Sequence, residues 1–366
     1  MKFTCEKSIM IKEIAIANEI ISSKNAISIL SYIHLNAADG KLYIKSTDIT
    51  LNFETNLPVT VLEEGETVVK GDTFMGILNT IPDGEFEFEK QENKIVIKTS
   101  AKKLKYNLRT NSSEQFPKFP EIENAVTFEV AVKDFKDMIR QTIFSVSDDE
   151  TRYFMNGVFF EKSEGKFIMV GTDGRRLAYI EKNLNDSVAD FAGIIIPEKI
   201  LSVFLKHSGE EGNITVSFSS KLILIKFASY HLVSNLIEGQ FPNYRKVIPE
   251  NQPKSFTVKR KDVLDALKDI AILVENRNKK VLFTLTPGSL SVSTTEHEMG
   301  NSDEEIACRY EGEETVIAVN YKYIEEPFRM IEQEEVCFHF ENTKKALTVK
   351  PVPESDFYHV IMPMQN

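Results

Sequence analysis

One pattern is written three times along this chain, and no other feature restricts its architecture as much. Phe128, Val130 and Val132 alternate with Glu129, Ala131 and Lys133 at the period of a strand. Phe135, Ile139, Thr142 and Val146 then follow at the spacing of one helix face. The same strand and helix stand 125 residues earlier at Phe3, Cys5, Met10, Ile14, Ala17 and Ile21. They stand 128 residues later at Phe256, Val258, Val263, Leu267, Ile270 and Val274. Thr47-Asp48, Thr172-Asp173 and Thr295-Glu296 hold corresponding places, as do the apolar runs Ile95 to Lys98, Ile223 to Lys226 and Leu347 to Lys350. The period exceeds the roughly 20 to 50 residues of solenoids and propellers, so it marks similar domains rather than a stack of small repeats.

A length of 366 residues admits two to four domains at about 100 to 200 residues each. The repeat selects three, over residues 1–125, 126–253 and 254–366. A second helix is expected in each, over Asp72 to Ile81, Glu198 to His207 and Asn320 to Ile331. Asp72 is expected to cap the first of these, with Phe74, Ile77, Leu78 and Ile81 as its buried stripe. Pro327 falls inside the third, at roughly 3 kcal/mol, and predicts a kink or an early break. Two helices and about eight short strands per repeat describe an α+β fold of antiparallel sheets backed by helices.

No apolar run approaches the roughly 18 residues of a membrane span, and Met1-Lys2-Phe3-Thr4 enters a strand without a signal-peptide core, so a cytoplasmic protein is expected. Cys5, Cys308 and Cys337 are odd in number and widely spaced, which supports neither a disulfide framework nor a metal site. The formal charge of -11 argues against nucleic acid, whose phosphates demand a basic surface. Only a fold that gathers cations on one face and carboxylates on another escapes that argument.

Opposite the apolar stripes, the first helices carry Lys12, then Lys133 and Arg140, then Lys261 and Lys268. The second helices carry Lys199 with Lys206 and Lys322 with Arg329, each pair seven residues apart and so on one face. Glu19, Asp137 and Asp265 interrupt these faces. A solvated surface explains any one helix; recurrence over three repeats points to one common cationic surface.

Between two strand-like runs lies Gly171-Thr172-Asp173-Gly174-Arg175-Arg176-Leu177-Ala178. Asp173 and Gly174 fit a hairpin turn, which leaves the two arginines unexplained. Further signatures are Arg152-Tyr153-Phe154-Met155-Asn156-Gly157, Phe241-Pro242-Asn243-Tyr244-Arg245 and Val360-Ile361-Met362-Pro363-Met364. With these four motifs in order, the chain resembles the bacterial sliding clamps, the beta subunits of DNA polymerase III, over its whole length.

The resemblance implies a head-to-tail homodimer, a ring of six similar domains whose helices line a hole around duplex DNA. Such a ring acts as a processivity factor, needs no cofactor or metal, and works with a clamp loader, the replicative polymerase and other proteins carrying a clamp-binding motif. It also implies a pocket for a short partner peptide. Carried onto this chain, its positions are Met155, Thr172, Gly174, Arg175, Arg176, Leu177, Pro242 and Arg245, then Val247, Val360, Met362, Pro363 and Met364. Arg175 stands where the family commonly has histidine, and Gln365-Asn366 replaces the usual Arg-Leu ending, so a different rim preference is expected. Family dimer contacts map to Tyr106 and Leu108 against Ile272 and Leu273. DNA contacts map to Lys24, Arg152 and Tyr153 beside the helical cations Lys12, Lys133, Arg140, Lys199, Lys206, Lys268, Lys322 and Arg329.

Two other classes compete. An enzyme would use Asp173, Arg175 and Arg176 on a phosphate, or His297-Glu298 as acid and base, yet the sequence has no Walker loop, G-x-G-x-x-G or H-E-x-x-H. His34, His207, His231, His297, His339 and His359 are scattered. A purely structural repeat protein would bind neither DNA nor polymerase peptides.

Overall fold

In the computed structural model, residues 1–21, 28–99, 102–184, 188–275, 277–296, 298 and 300–365 are described. The sequence-predicted Lys24 and His297 lie outside them. Two compact units form, one from Met1–Val132 with Ser202–Leu236 and the other from Lys133–Leu201 with Ile237–Asn366. Six α-helices occur among the described residues: α1 (Lys7–Ile20), α2 (Gly71–Thr80), α3 (Val132–Arg140), α4 (Glu198–His207), α5 (Arg260–Ile270) and α6 (Tyr321–Met330). They fall two to each repeat, amid antiparallel strands throughout.

The first unit holds a five-stranded sheet in the order Thr60–Glu63, Lys2–Glu6, Glu85–Gln91, Lys94–Thr99 and Leu104–Arg109. Its second sheet has eight strands: Val126–Ala131, Asn213–Phe218, Leu222–Phe227 and Tyr230–Asn235, then Leu51–Pro58, Lys41–Thr47, Tyr32–Ala38 and Gly65–Lys70. Tyr230–Asn235 pairs with Leu51–Pro58, so strands of the first and second repeats share one sheet. Joining two edges in this way satisfies backbone groups that each repeat alone would leave open. The second unit contains a twelve-stranded sheet, in which Arg176–Lys182 pairs with Phe357–Ile361 in the same manner.

Aromatic packing repeats with the sequence. Phe3 stacks on Phe88 at 4.9 Å, and Phe256 stacks on Phe338 at 4.5 Å. Each pair receives a phenylalanine from the second helix of its repeat, Phe74 at 5.9 Å from Phe88 and Phe328 at 5.7 Å from Phe338. Burying such rings dominates core energetics, which is why the apolar positions survive three times over.

Three local expectations need correction. α3 ends at Arg140, before Thr142 and Val146, because the Thr142 hydroxyl bonds back to the Met138 carbonyl at 2.8 Å and a 3-10 turn follows over Ile143–Ser145. Asp72 sits inside the first turn of α2 rather than at its cap, and its carboxylate accepts from the Asn18 amide at 3.1 Å. Pro327 does not break α6, which runs on to Met330. The Pro327 carbonyl still accepts from the Ile331 N–H at 3.0 Å, and its ring is buried.

The Thr-Asp pairs of the first two repeats build the same turn. Asp48 accepts from the N–H groups of Thr50 and Leu51 at 2.9 and 2.7 Å, and Asp173 accepts from those of Arg175 and Arg176 at 2.8 and 3.0 Å. The residue after each aspartate takes a positive φ, +86° at Gly174 and +82° at Ile49. A β-branched residue there is strained by about 1 to 3 kcal/mol, and the Ile49 side chain is 53% exposed, so burial does not offset the strain. Ile49→Asn is therefore expected to stabilise the protein by about 1 kcal/mol, seen as a higher apparent melting temperature. A lower one would mean that the isoleucine side chain makes a contact worth more than the strain.

Candidate partner pocket and nucleic-acid interface

The hairpin between Lys166–Thr172 and Arg176–Lys182 forms because Asp173 closes the turn and Gly174 supplies its left-handed residue. Thr172 Oγ1 donates to the Arg176 carbonyl at 2.6 Å and accepts from the Gly174 N–H at 3.1 Å. Arg176 rivets this turn to its surroundings. Its Nε donates to Asp173 Oδ2 at 3.1 Å, its Nη2 to the Phe144 carbonyl at 2.6 Å, and its Nη1 to Glu326 on α6. The guanidinium also stacks 4.7 Å from the Tyr323 ring, so one of the two adjacent arginines is structural. Arg175 stays exposed, and its carbonyl accepts from the Met362 N–H at 2.9 Å.

Around this hairpin lies a cavity of about 130 Å³. Leu177 and Val360, register partners on adjacent strands, are 3% and 4% exposed in its wall. Met155 enters from the segment Glu150–Met155, and Pro242 and Val247 from around the turn Tyr244–Val247. Val247 and Met362 are 57% and 46% exposed, an apolar lip. Thr172, Gly174, Arg175 and Arg176 complete the set of predicted residues brought together here. A typical small-molecule site of about 300 to 1,000 Å³ is larger, so this space suits one or two apolar side chains of a docked chain.

Three predicted pocket residues do not line the cavity. Arg245 is drawn away by Glu161, which it meets at 2.5 Å, and it stacks 4.7 Å from the Tyr244 ring. The Met364 N–H is bonded to the Ala318 carbonyl at 2.8 Å, which turns Pro363 and Met364 off the lip. Asn243 and Tyr244, which line it, went unpredicted although they sit inside the Phe241 to Arg245 motif. The Tyr244 hydroxyl donates to Glu161 at 2.6 Å, and burial together with that carboxylate raises its pKa. Beside Val360, His359 is 2% exposed between Phe144 and Phe357, and burial pushes it down to about 3, so this imidazole is neutral at ordinary pH.

The Gln-Phe-Pro-x-aromatic run of Gln240 to Tyr244 also occurs in the first repeat, at Gln115 to Phe119, where it borders a different space. Phe116, Pro117 and Phe119 border a cleft of about 700 Å³ that also contains His34, Lys45, Glu54 and His231. Lys45 lies 3.5 Å from Glu54, and His34 lies 3.2 Å from Glu66. The charges of Lys45, Glu54 and Glu66 make this cleft a poor receiver for an apolar side chain.

Predicted DNA-facing residues are at the surface. Lys12, Lys133, Arg140, Lys199, Lys206, Lys268 and Arg329 are exposed, and Lys322 is partly so. Lys133 and Arg140 from α3 and Arg329 from α6 line one cleft of about 450 Å³, together with Lys182. Arg152 is engaged at the hairpin turn instead, donating to Asp149 at 2.8 Å and to the Asp173 carbonyl at 3.0 Å. Tyr153 is 53% exposed. Of the predicted dimer residues, Tyr106 and Leu108 lie on the outermost strand of the five-stranded sheet. Ile272 is 82% exposed on a 3-10 turn, and Leu273 beside it is partly buried.

Family profiles of the DNA polymerase III beta subunit match along the chain, the N-terminal domain over residues 1–120, the central domain over 129–243 and the C-terminal domain over 245–365. The beta sliding clamp of Treponema pallidum is 43% identical over 370 residues, covering 100% of both chains. That of Rickettsia bellii is 29% identical over 380 residues, again covering 100% of both. Among solved structures, a sliding clamp of Pseudomonas aeruginosa bound to griselimycin superposes with a TM-score of 0.94 at 23% identity, covering 100% of both chains. One from Bacillus subtilis gives 0.93 at 25% identity, covering 100% of this chain and 99% of that one.

Proposed function

The chain belongs to the DNA polymerase III beta subunit family, and from that premise we propose how its residues divide the work of a sliding clamp. Membership makes it a processivity factor, an accessory protein and not an enzyme, built as a dimeric ring that works with DNA and a polymerase. In the proposed division, the cavity around Leu177, Val360 and Met362 receives an apolar side chain from the polymerase and, in turn, from other proteins with a clamp-binding motif. A methionine and proline lining adapts to several such partners. The observation that carries this reading is the convergence of residues from four separate sequence motifs on one cavity of side-chain size.

The three proposed domains span residues 1–125, 126–253 and 254–366. Each protomer's outer strand Leu104–Arg109, with Tyr106 and Leu108, meets the partner's turn carrying Ile272 and Leu273. This contact is heterologous, so it closes only as a ring. A clamp loader, using its own ATP, opens one such contact and lets the ring close on duplex DNA in the cytoplasm. The helical cations Lys12, Lys133, Arg140, Lys199, Lys206, Lys268, Lys322 and Arg329 then face phosphate without reading bases.

Topology supplies the test. Protein loaded on nicked circular DNA by the cognate loader is expected to stay through gel filtration and to leave once the circle is cut. Equal retention on circle and line would reduce the interaction to ordinary electrostatic binding and overturn the ring.

A further inference from the structure

α6 carries Lys322, Glu325 and Arg329 at spacings of three and four, so the carboxylate sits between two cations, one turn from each. It holds both. Glu325 accepts from Lys322 Nζ at 2.6 Å and from Arg329 Nη2 at 2.5 Å, with its own side chain only 14% exposed. In the other unit, Glu19 of α1 does the same across helices, accepting from Lys206 Nζ at 2.8 Å and lying 3.0 Å from His207 Nε2. Arg140 has Asp137 at 4.0 Å. Four of the helical cations assigned to DNA therefore already meet a carboxylate.

We propose that Glu325 and Glu19 set the grip of this protein on DNA, each tethering basic side chains so that fewer of them neutralise phosphate. This inference rests on the assignment of these helix faces to DNA. A free Lys322 and Arg329 would present two positive charges, whereas the triad presents one, and a phosphate must compete with a carboxylate already in contact. Affinity for DNA follows the number of phosphates neutralised, since each releases counterions. A ring gains little from that affinity, because closure alone keeps it on the duplex. Every extra contact must instead break before the ring can advance, so the tethers favour sliding.

Glu325→Gln keeps the shape and removes the charge. Binding of the whole protein to a short duplex, titrated between about 50 and 200 mM salt, is expected to show a log–log slope steeper by about 1 to 2. Each added phosphate contact should make the loss of affinity across that interval about threefold larger. Loaded Glu325→Gln rings should also diffuse more slowly along DNA than the parent protein. Glu19→Gln should steepen the slope independently through Lys206. The double variant Lys322→Ala with Arg329→Ala separates the two readings. If it flattens the slope while Glu325→Gln leaves it unchanged or shallower, the tethering role is overturned and the DNA-facing assignment stands. If the double variant also leaves the slope unchanged, α6 does not meet DNA, and both fall. A merely helix-stabilising Glu325 would move the melting temperature without moving the slope.

Discussion

Truncating Val247 and Met362 together to alanine is expected to weaken a clamp-binding peptide by roughly 30- to 150-fold in Kd. Both lip side chains are about half exposed in the free protein, at 57% and 46%, and a docked apolar residue would cover them. At about 0.8 kcal/mol per methylene-sized group, partial burial of the atoms removed is worth about 2 to 3 kcal/mol. Since little of either side chain is packed in the free protein, the melting temperature should hardly move. Titration of a fluorescent peptide measures the affinity, and sedimentation shows whether the dimer persists. Unchanged affinity would remove the pocket assignment; lost dimerisation would mean that the lip also serves assembly.

Placing a carboxylate at Ile272 is expected to have the opposite profile. At 82% exposure Ile272 contributes almost nothing to its own fold, so Ile272→Asp should leave each chain folded and the pocket able to bind peptide. In the assembled ring the aspartate would lie in an apolar contact without a partner, at about 3 to 5 kcal/mol per contact. A dimeric ring has two such contacts, so the total of about 6 to 10 kcal/mol corresponds to a dimer Kd raised by roughly four to seven orders of magnitude. Sedimentation of the variant should show monomer where the parent protein is dimeric, and retention on circular DNA should vanish with it. A persistent dimer would move the interface elsewhere on the chain.

Much of the architecture was legible because burial imposes a period that survives divergence. Phe3 and Phe256 announce themselves by strand alternation, and their stacking on Phe88 and Phe338 confirms that the same core is built in two repeats. Helix ends were harder to read, because they depend on single hydrogen bonds. Thr142 ends α3 by bonding the Met138 carbonyl, and no periodicity reports that choice. Pro327 shows the converse: its missing N–H predicted a break, and packing keeps the helix intact.

For the pocket, the sequence by itself determined the turn, since Asp173 and Gly174 are residues that a tight hairpin favours, and it named the four motifs. Tertiary structure alone decided which members of those motifs face the cavity. Arg245 is adjacent in sequence to a lining position and Met364 is two residues from one, yet each is turned away by a partner remote in sequence, Glu161 and the Ala318 backbone. It also decided that Glu19 of α1 meets Lys206 and His207 of α4, so that the apparent count of free cations exceeds the real one. The physical reason is common to both cases. Periodicity records which side chains leave water, whereas the partner of a charged or polar group depends on distances that only the folded chain creates.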